Sequence, residues 1–176
     1  IGHSTTGTLS SALKNTGVGI DTMDALTFGD ENTAVGFDAA GAVTSGSYNT
    51  AVGHKALLTA STTSSNVAIG RQSLRLTTGT GNTAVGRDSG EIVAAGNNNT
   101  CIGFHAGDNI TSGSGNVSIG MQADPASATG NNQLVIATYD GSSTTTWING
   151  DSSGNVTITG DLTVSGDDIT MGTNTS

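Results

Sequence analysis

Cysteine, proline, aromatic side chains and positive charge are all scarce in this sequence, and each shortage excludes something. One cysteine, Cys101, leaves no internal disulfide, so the count is silent on redox compartment. Five Lys+Arg against 14 Asp+Glu give a net charge of −9, which argues against a nucleic-acid partner held by phosphate neutralisation. Aromatics are 3% and charged residues 11%, against roughly 25% charged in an ordinary domain, so a thick globular core is excluded. Disorder usually accompanies proline and dense charge, and Pro125 is the single proline. No apolar run reaches membrane-spanning length and no signal peptide is present, so no membrane insertion is expected.

What remains is Gly (27 of 176 residues), Thr, Ser, Asn, Ala and Val, a palette for thin, turn-rich β-structure. It is arranged in a repeat. Aligned on asparagine, the copies begin at Asn15, Asn32, Asn49, Asn66, Asn82, Asn99, Asn116 and Asn132, in steps of 17 or 16 residues. They read NTGVG, NTAVG, NTAVG, NVAIG, NTAVG, NTCIG, NVSIG and a decaying NQLVI. Ile1 and Gly2 align with Val18 and Gly19, so the chain opens inside a repeat, and a section of a longer protein is expected.

Each column has a physical reading. The fourth position is β-branched throughout (Val18, Val35, Val52, Ile69, Val85, Ile102, Ile119) and is expected to face a dry interior. The third is small (Gly17, Ala34, Ala51, Ala68, Ala84, Cys101, Ser118) and, by strand alternation, faces the other way. Gly19, Gly36, Gly53, Gly70, Gly86, Gly103 and Gly120 follow, as a corner with positive φ requires. A second small column comes three residues later, from Thr22 to Ala123. A second apolar register lies eleven residues after each Asn, at Leu26, Val43, Ala60, Leu76 (one place early), Val93 and Ile110, with Leu9 in the truncated copy. Two short strands per repeat are therefore expected. The Asn column (Asn15, Asn32, Asn49, Asn66, Asn82, Asn99, Asn116) reads either as a ladder of stacked amides or as a simple turn starter.

No stretch shows a sustained helical period. A single repeat cannot bury its apolar face, whereas stacked copies share one narrow core. The predicted fold is all-β: a parallel β-solenoid (β-roll) over residues 1–132, then a hairpin-rich connector or cap over 133–176. Seven coils at roughly 4.8 Å each make a rod on the order of 35 Å long. In the tail, Val156, Ile158, Leu162 and Val164 stand between turn signals, and Trp147 is expected to plug the solenoid or to pack against a partner chain.

The NTAVG-x-x-A/S repeat resembles the head repeats of trimeric autotransporter adhesins. With "WINGDSSGNV" and "GDLTVSGDD" it is closer to the repeat region of tailed-phage fibre and tailspike proteins that end in an intramolecular chaperone. The resemblance covers residues 1 to about 165. It implies a homotrimer of left-handed coils on a virion appendage, outside the cell, with other tail proteins and a host surface glycan or protein receptor as partners. The aromatic that the family carries after the corner glycine is mostly replaced, by His3, Ile20, His54, Arg71, Arg87 and Met121, with Phe only at Phe37 and Phe104. No chaperone segment is present in this stretch.

Sharper site readings compete with plainer ones. His3, His54 and His105 lie on different coils without recurring partners, so no metal is expected. Cys101 occupies a small-residue slot and reads as core. Asp161, Asp167, Asp168, Asp30 and Glu31 lack a calcium-loop pattern and read as solvated turns. Arg71, Arg75 and Arg87 form the basic cluster; an interchain ion pair with Asp88 or Glu91 is favoured over an anionic glycan. Without paired acids, a nucleophile–base pair or a phosphate loop, neither enzyme activity nor a cofactor is expected. Three readings compete with a phage fibre segment: a bacterial adhesin head, an ice-binding solenoid on the Thr16–Val117 column, and a polysaccharide-cleaving β-helix.

Overall fold

The computed structural model describes residues 12–163, and within them the chain is all-β. Ten strands form one sheet in sequence order. Seven are three-residue rungs: β1 Thr16–Val18, β2 Thr33–Val35, β3 Thr50–Val52, β4 Val67–Ile69, β5 Thr83–Val85, β6 Thr100–Ile102 and β7 Val117–Ile119. Each pairs in parallel with the next, in a register that places equivalent residues side by side. This is a parallel β-solenoid of about 17-residue coils. The last three strands, β8 Leu134–Tyr139, β9 Thr144–Gly150 and β10 Val156–Ile158, continue the sheet; β8 is parallel to β7, and β9 and β10 are antiparallel. Leu9, His3, Val164, Asp167 and Asp168 lie outside the described residues.

The interior inverts one expectation. The small column is inside: Ala34, Ala51, Ala68 and Ala84 have no solvent exposure, and Cys101 and Ser118 are equally buried. The aliphatic column expected there faces out, with Val18, Val35, Ile69, Ile102 and Ile119 36–42% exposed and Val52 and Val85 half-buried. The reason is the width of the lumen. The turns opposite the rungs send Met23, Leu57, Leu74, Val43, Val93 and Ile110 inward, and these fill it. The strand side is left room for little more than a methyl group. Volumes trade across the gap: Gly17 faces the Met23 methyl, and Cys101, the largest residue of its column, faces Gly107, where an added Cβ would overlap its Sγ.

Three further expectations are corrected. Each coil holds one strand, not two; the second register is turn and bend, although it still bonds coil to coil, as in Thr27 N–H to Thr44 O (2.9 Å) and Thr44 N–H to Ser61 O (2.8 Å). In the short coil the inward slot belongs to buried Thr77, and Leu76 is half-buried. The hydroxyl fits because Thr77 Oγ1 accepts the Gly79 N–H at 3.2 Å. Finally, the eighth rung is aligned by Gln133, not Asn132: Leu134 lies beside Val117 and Ile136 beside Ile119, so the parallel stack runs past residue 132.

In the coils of β1 to β6 four backbone positions have positive φ, Glu31, Gly36, Asp38 and Ala40 in the second, and in that of β7 three do. Only the corner glycine is obligatory. Its φ is 139° at Gly36, in a region that side chains avoid, and a Cβ there would run into the carbonyl of Gly53 in the next coil.

The Asn column is a ladder. Asn99 donates its backbone N–H to Asn82 Oδ1 (2.9 Å), Asn116 donates to Asn99 (2.9 Å), and Asn82 Nδ2 donates to Gly96 O (2.8 Å), all in a buried setting. Gln133 ends it: its N–H meets Asn116 Oδ1 at 2.9 Å, and its side chain pins the closing loop at Ser127. A second ladder lies two residues upstream and runs in the opposite sense. There the backbone N–H of each coil donates to the side chain of the following one, Asp30 to Ser47 (2.9 Å), Ser47 to Ser64 (3.0 Å) and Asn97 to Ser114 (3.0 Å).

Candidate interaction face

Inverting the rungs creates the most distinctive surface of the molecule. Two files run along the outside of the sheet. One holds Thr16, Thr33, Thr50, Val67, Thr83, Thr100 and Val117, the other the β-branched column from Val18 to Ile119. Register carries both files beyond the repeat. Val117 lies beside Leu134, Leu134 beside Gly150, and Gly150 beside Val156; Ile119 leads in the same way to Ile136, Ile148 and Ile158. No position in either file is charged, in a chain of net charge −9. β-Branched side chains have few rotamers to lose, so the face is stiff as well as apolar.

Across the corner glycines runs the large-residue column, and it is also external. Ile20, Phe37, His54, Arg71 and Arg87 are exposed, while Phe104 and Met121 are half-buried. Planar groups stack along it: Phe37 on His54 with centroids 5.4 Å apart, and the Arg87 guanidinium 4.2 Å above the Phe104 ring.

The ion pairs expected between chains form within one chain. Arg71 Nη2 is 3.7 Å from Asp88 Oδ2 and Arg75 Nη2 reaches Glu91 Oε1 at 2.6 Å, both between neighbouring coils, because the register puts positions 16 or 17 residues apart side by side. Arg87 Nε, 3.0 Å from Asp88 Oδ2, pairs with its own neighbour in the chain. Asp88 is 4% exposed and its Oδ1 has no hydrogen-bond partner. His105 bridges two carboxylates, with Nδ1 2.8 Å from Asp108 and Nε2 3.7 Å from Asp88. His54 stands apart on the Phe37 stack.

The remaining candidates separate. Burial pushes the Cys101 thiol up to about 12, with the Asp124 charge adding to it, so the sulfur stays protonated and inert at neutral pH. Asp30 accepts the Leu13 N–H at 2.7 Å, and Glu31 pairs with Lys14 at 3.0 Å, as surface turn residues do. Among the described residues no group of three or more His, Cys, Asp or Glu is placed to hold a metal, and no helix is long and apolar enough to cross a membrane.

Trp147 does not plug the solenoid. Buried Ala123, Val135, Ala137 and Pro125 occupy that end, while Trp147 is 50% exposed and donates its indole N–H to Thr138 Oγ1 at 2.8 Å. Beneath the hairpin is a cleft of about 280 Å³ lined by Asp124, Val135, Thr146, Asn149 and Thr157, with a single carboxylate. Alternation in the sequence separates the files of the sheet; what it does not carry is the identity of the face turned outward. The second polar ladder was legible as a column of Asp, Ser, Thr and Asn from Asp30 to Asn131, masked by the turn composition around it.

No protein-family model, curated protein or solved structure matches this chain.

Proposed function

We propose that this chain is a non-enzymatic structural and adhesive segment of a homotrimeric fibre, of the kind that forms a phage tail fibre or tailspike shaft and supports attachment to a host surface. One observation carries the reading: the uncharged, β-branched file that stays outside along all ten strands. Contiguous apolar surface on that scale marks a contact site. A second copy, with the same rung spacing and the same rigid side chains, is its natural complement. The rest of the coil suits a spacer, since two polar ladders and a close glycine corner make a stiff rod. Its outer partners would be other virion tail proteins and a host receptor, glycan or protein.

Native mass and small-angle scattering on the longest natural chain that contains these coils test the reading. The expected result is a trimeric rod that Val85→Asp converts to folded monomers, because the aspartate would be buried between copies without a partner. A wild-type monomer at working concentrations sinks the proposal. It would leave the flat Thr/Val array free in solution, and thermal hysteresis would then be the assay for ice binding.

A further inference from the structure

We infer that the β8–β10 hairpin is the registration end of the contact between copies, with Trp147 as the anchor that a second copy of this chain covers. The inference rests on the self-associating rod proposed above.

Repetition creates a problem that the coils cannot solve. Sliding one copy past another by a single coil sets Val or Ile against Val or Ile again along β1–β7, so the coil face distinguishes such shifts only weakly. A feature that does not repeat has to select one alignment, and it has to lie on the same face.

The hairpin meets both conditions. Its first strand, β8, is the last parallel rung, with Ile136 one period after Ile119. Strands β9 and β10 lack the repeat and run antiparallel, yet Ile148 and Ile158 stand side by side with Ile136 in continuation of Ile119. The period does not explain the β-branched residues at 148 and 158; membership of one face does. Trp147 is the extra residue of a bulge, set between the pairs Ile136/Ile148 and Ala137/Thr146. Its indole N–H is already satisfied by Thr138 in the same chain, so the part it presents is apolar ring. Val156 and Ile158, 63% and 43% exposed, continue the apolar surface on the neighbouring strand. A fixed aromatic whose polar atom is paired, set in uncharged surroundings, has the character of a contact hot spot. The occupant we assign is a second copy, because the hairpin face is continuous with the file proposed to meet its own counterpart.

Trp147 is the chain's single tryptophan, so intrinsic fluorescence reads this residue alone. Native mass and acrylamide quenching are measured together on the intact protein through a dilution series. The expected result is an oligomer in which Trp147 emission is blue-shifted and shielded, with both properties lost together on dilution. Trp147→Ala is expected to weaken association by about tenfold or more, and Trp147→Phe to retain most of it. An oligomer whose Trp147 stays red-shifted and open to quencher overturns this inference and leaves the rod standing. A monomer overturns both. The wild-type quenching needs no variant, so a Trp147→Ala chain that fails to fold does not block the test.

Discussion

In the coils, Asn82 donates to Gly96 O and accepts two bonds from Asn99, all out of reach of water. In the hairpin, Asp151 accepts from the Ser153 N–H, the Asn155 N–H and the Asn155 amide, at 2.8–3.0 Å, in full contact with water. The bonding inventories are alike and the consequences differ. A polar group that loses its partner in the coil has no substitute, whereas in the hairpin solvent supplies one. The same sheet therefore joins a region that tolerates little change to one that tolerates much.

Glycine sharpens the comparison most. Gly86 has φ 136° and backs onto the Gly103 carbonyl; Gly154 has φ 83° and open space around it. Gly86→Ala is expected to cost roughly 3–6 kcal/mol, strain and overpacking together, and Gly154→Ala about 1–2 kcal/mol. Urea unfolding of the two variants decides it, and equal midpoints would mean that the coils are looser than their geometry implies.

Next comes the ladder. Asn82→Ala leaves the Asn99 N–H and the Gly96 carbonyl buried without partners, a loss of roughly 2–5 kcal/mol. Asp151→Ala should produce a much smaller shift in the same melt. If the two shifts are comparable, water is entering the coil and the ladder is not a dry structure.

The smallest effect is one of pH. The Asp124 carboxyl sits at the cleft mouth, and partial enclosure raises it above the ordinary carboxylate value, opposed by the Asn109 N–H. Between the ordinary and the raised value the folded chain holds more protons than the unfolded one, so this contribution to stability falls as pH rises through that window. Asp140 and Asp151 run the other way. The Ser143 N–H and the Asn155 amide, as the leading causes, hold their carboxyls low, so their contribution is present above the ordinary value and fades as pH falls through the lowered one. Asp124→Asn is expected to gain modestly on wild type between acid and neutral pH, since water still reaches the group. A pH-independent difference in melting temperature would show that the enclosure has no energetic weight.

Much of this architecture could be read directly from the residues. The step of 17 fixes which side chains become neighbours, because a rung can bond only to the rung one period away; Asn, Gly and the two strand columns were placed by counting. The glycine after each rung announced a corner, and the corner has the φ that excludes other residues. The places where counting failed share a cause. Leu76 looked like the core residue because it is apolar, but Thr77 holds the inward position and has a donor for its hydroxyl. Asn132 looked like the eighth rung because it is Asn, but the backbone N–H that meets the Asn116 side-chain oxygen is that of Gln133. Residue type misled where geometry, a distance of one coil, was decisive.

The outward face illustrates the division between sequence and tertiary structure. Alternation along Thr-Ala-Val determined by itself that Ala and Val lie on opposite sides of the sheet, and the period determined that each forms an unbroken file. Which file is inside was decided by the fold, through the volume left when Leu57, Leu74, Val43, Val93 and Ile110 enter the lumen from the opposite turns. Hydrophobicity favours burying valine, but a lumen already filled from one wall admits little more than a methyl group from the other, so the larger side chains are left outside in an ordered, uncharged row.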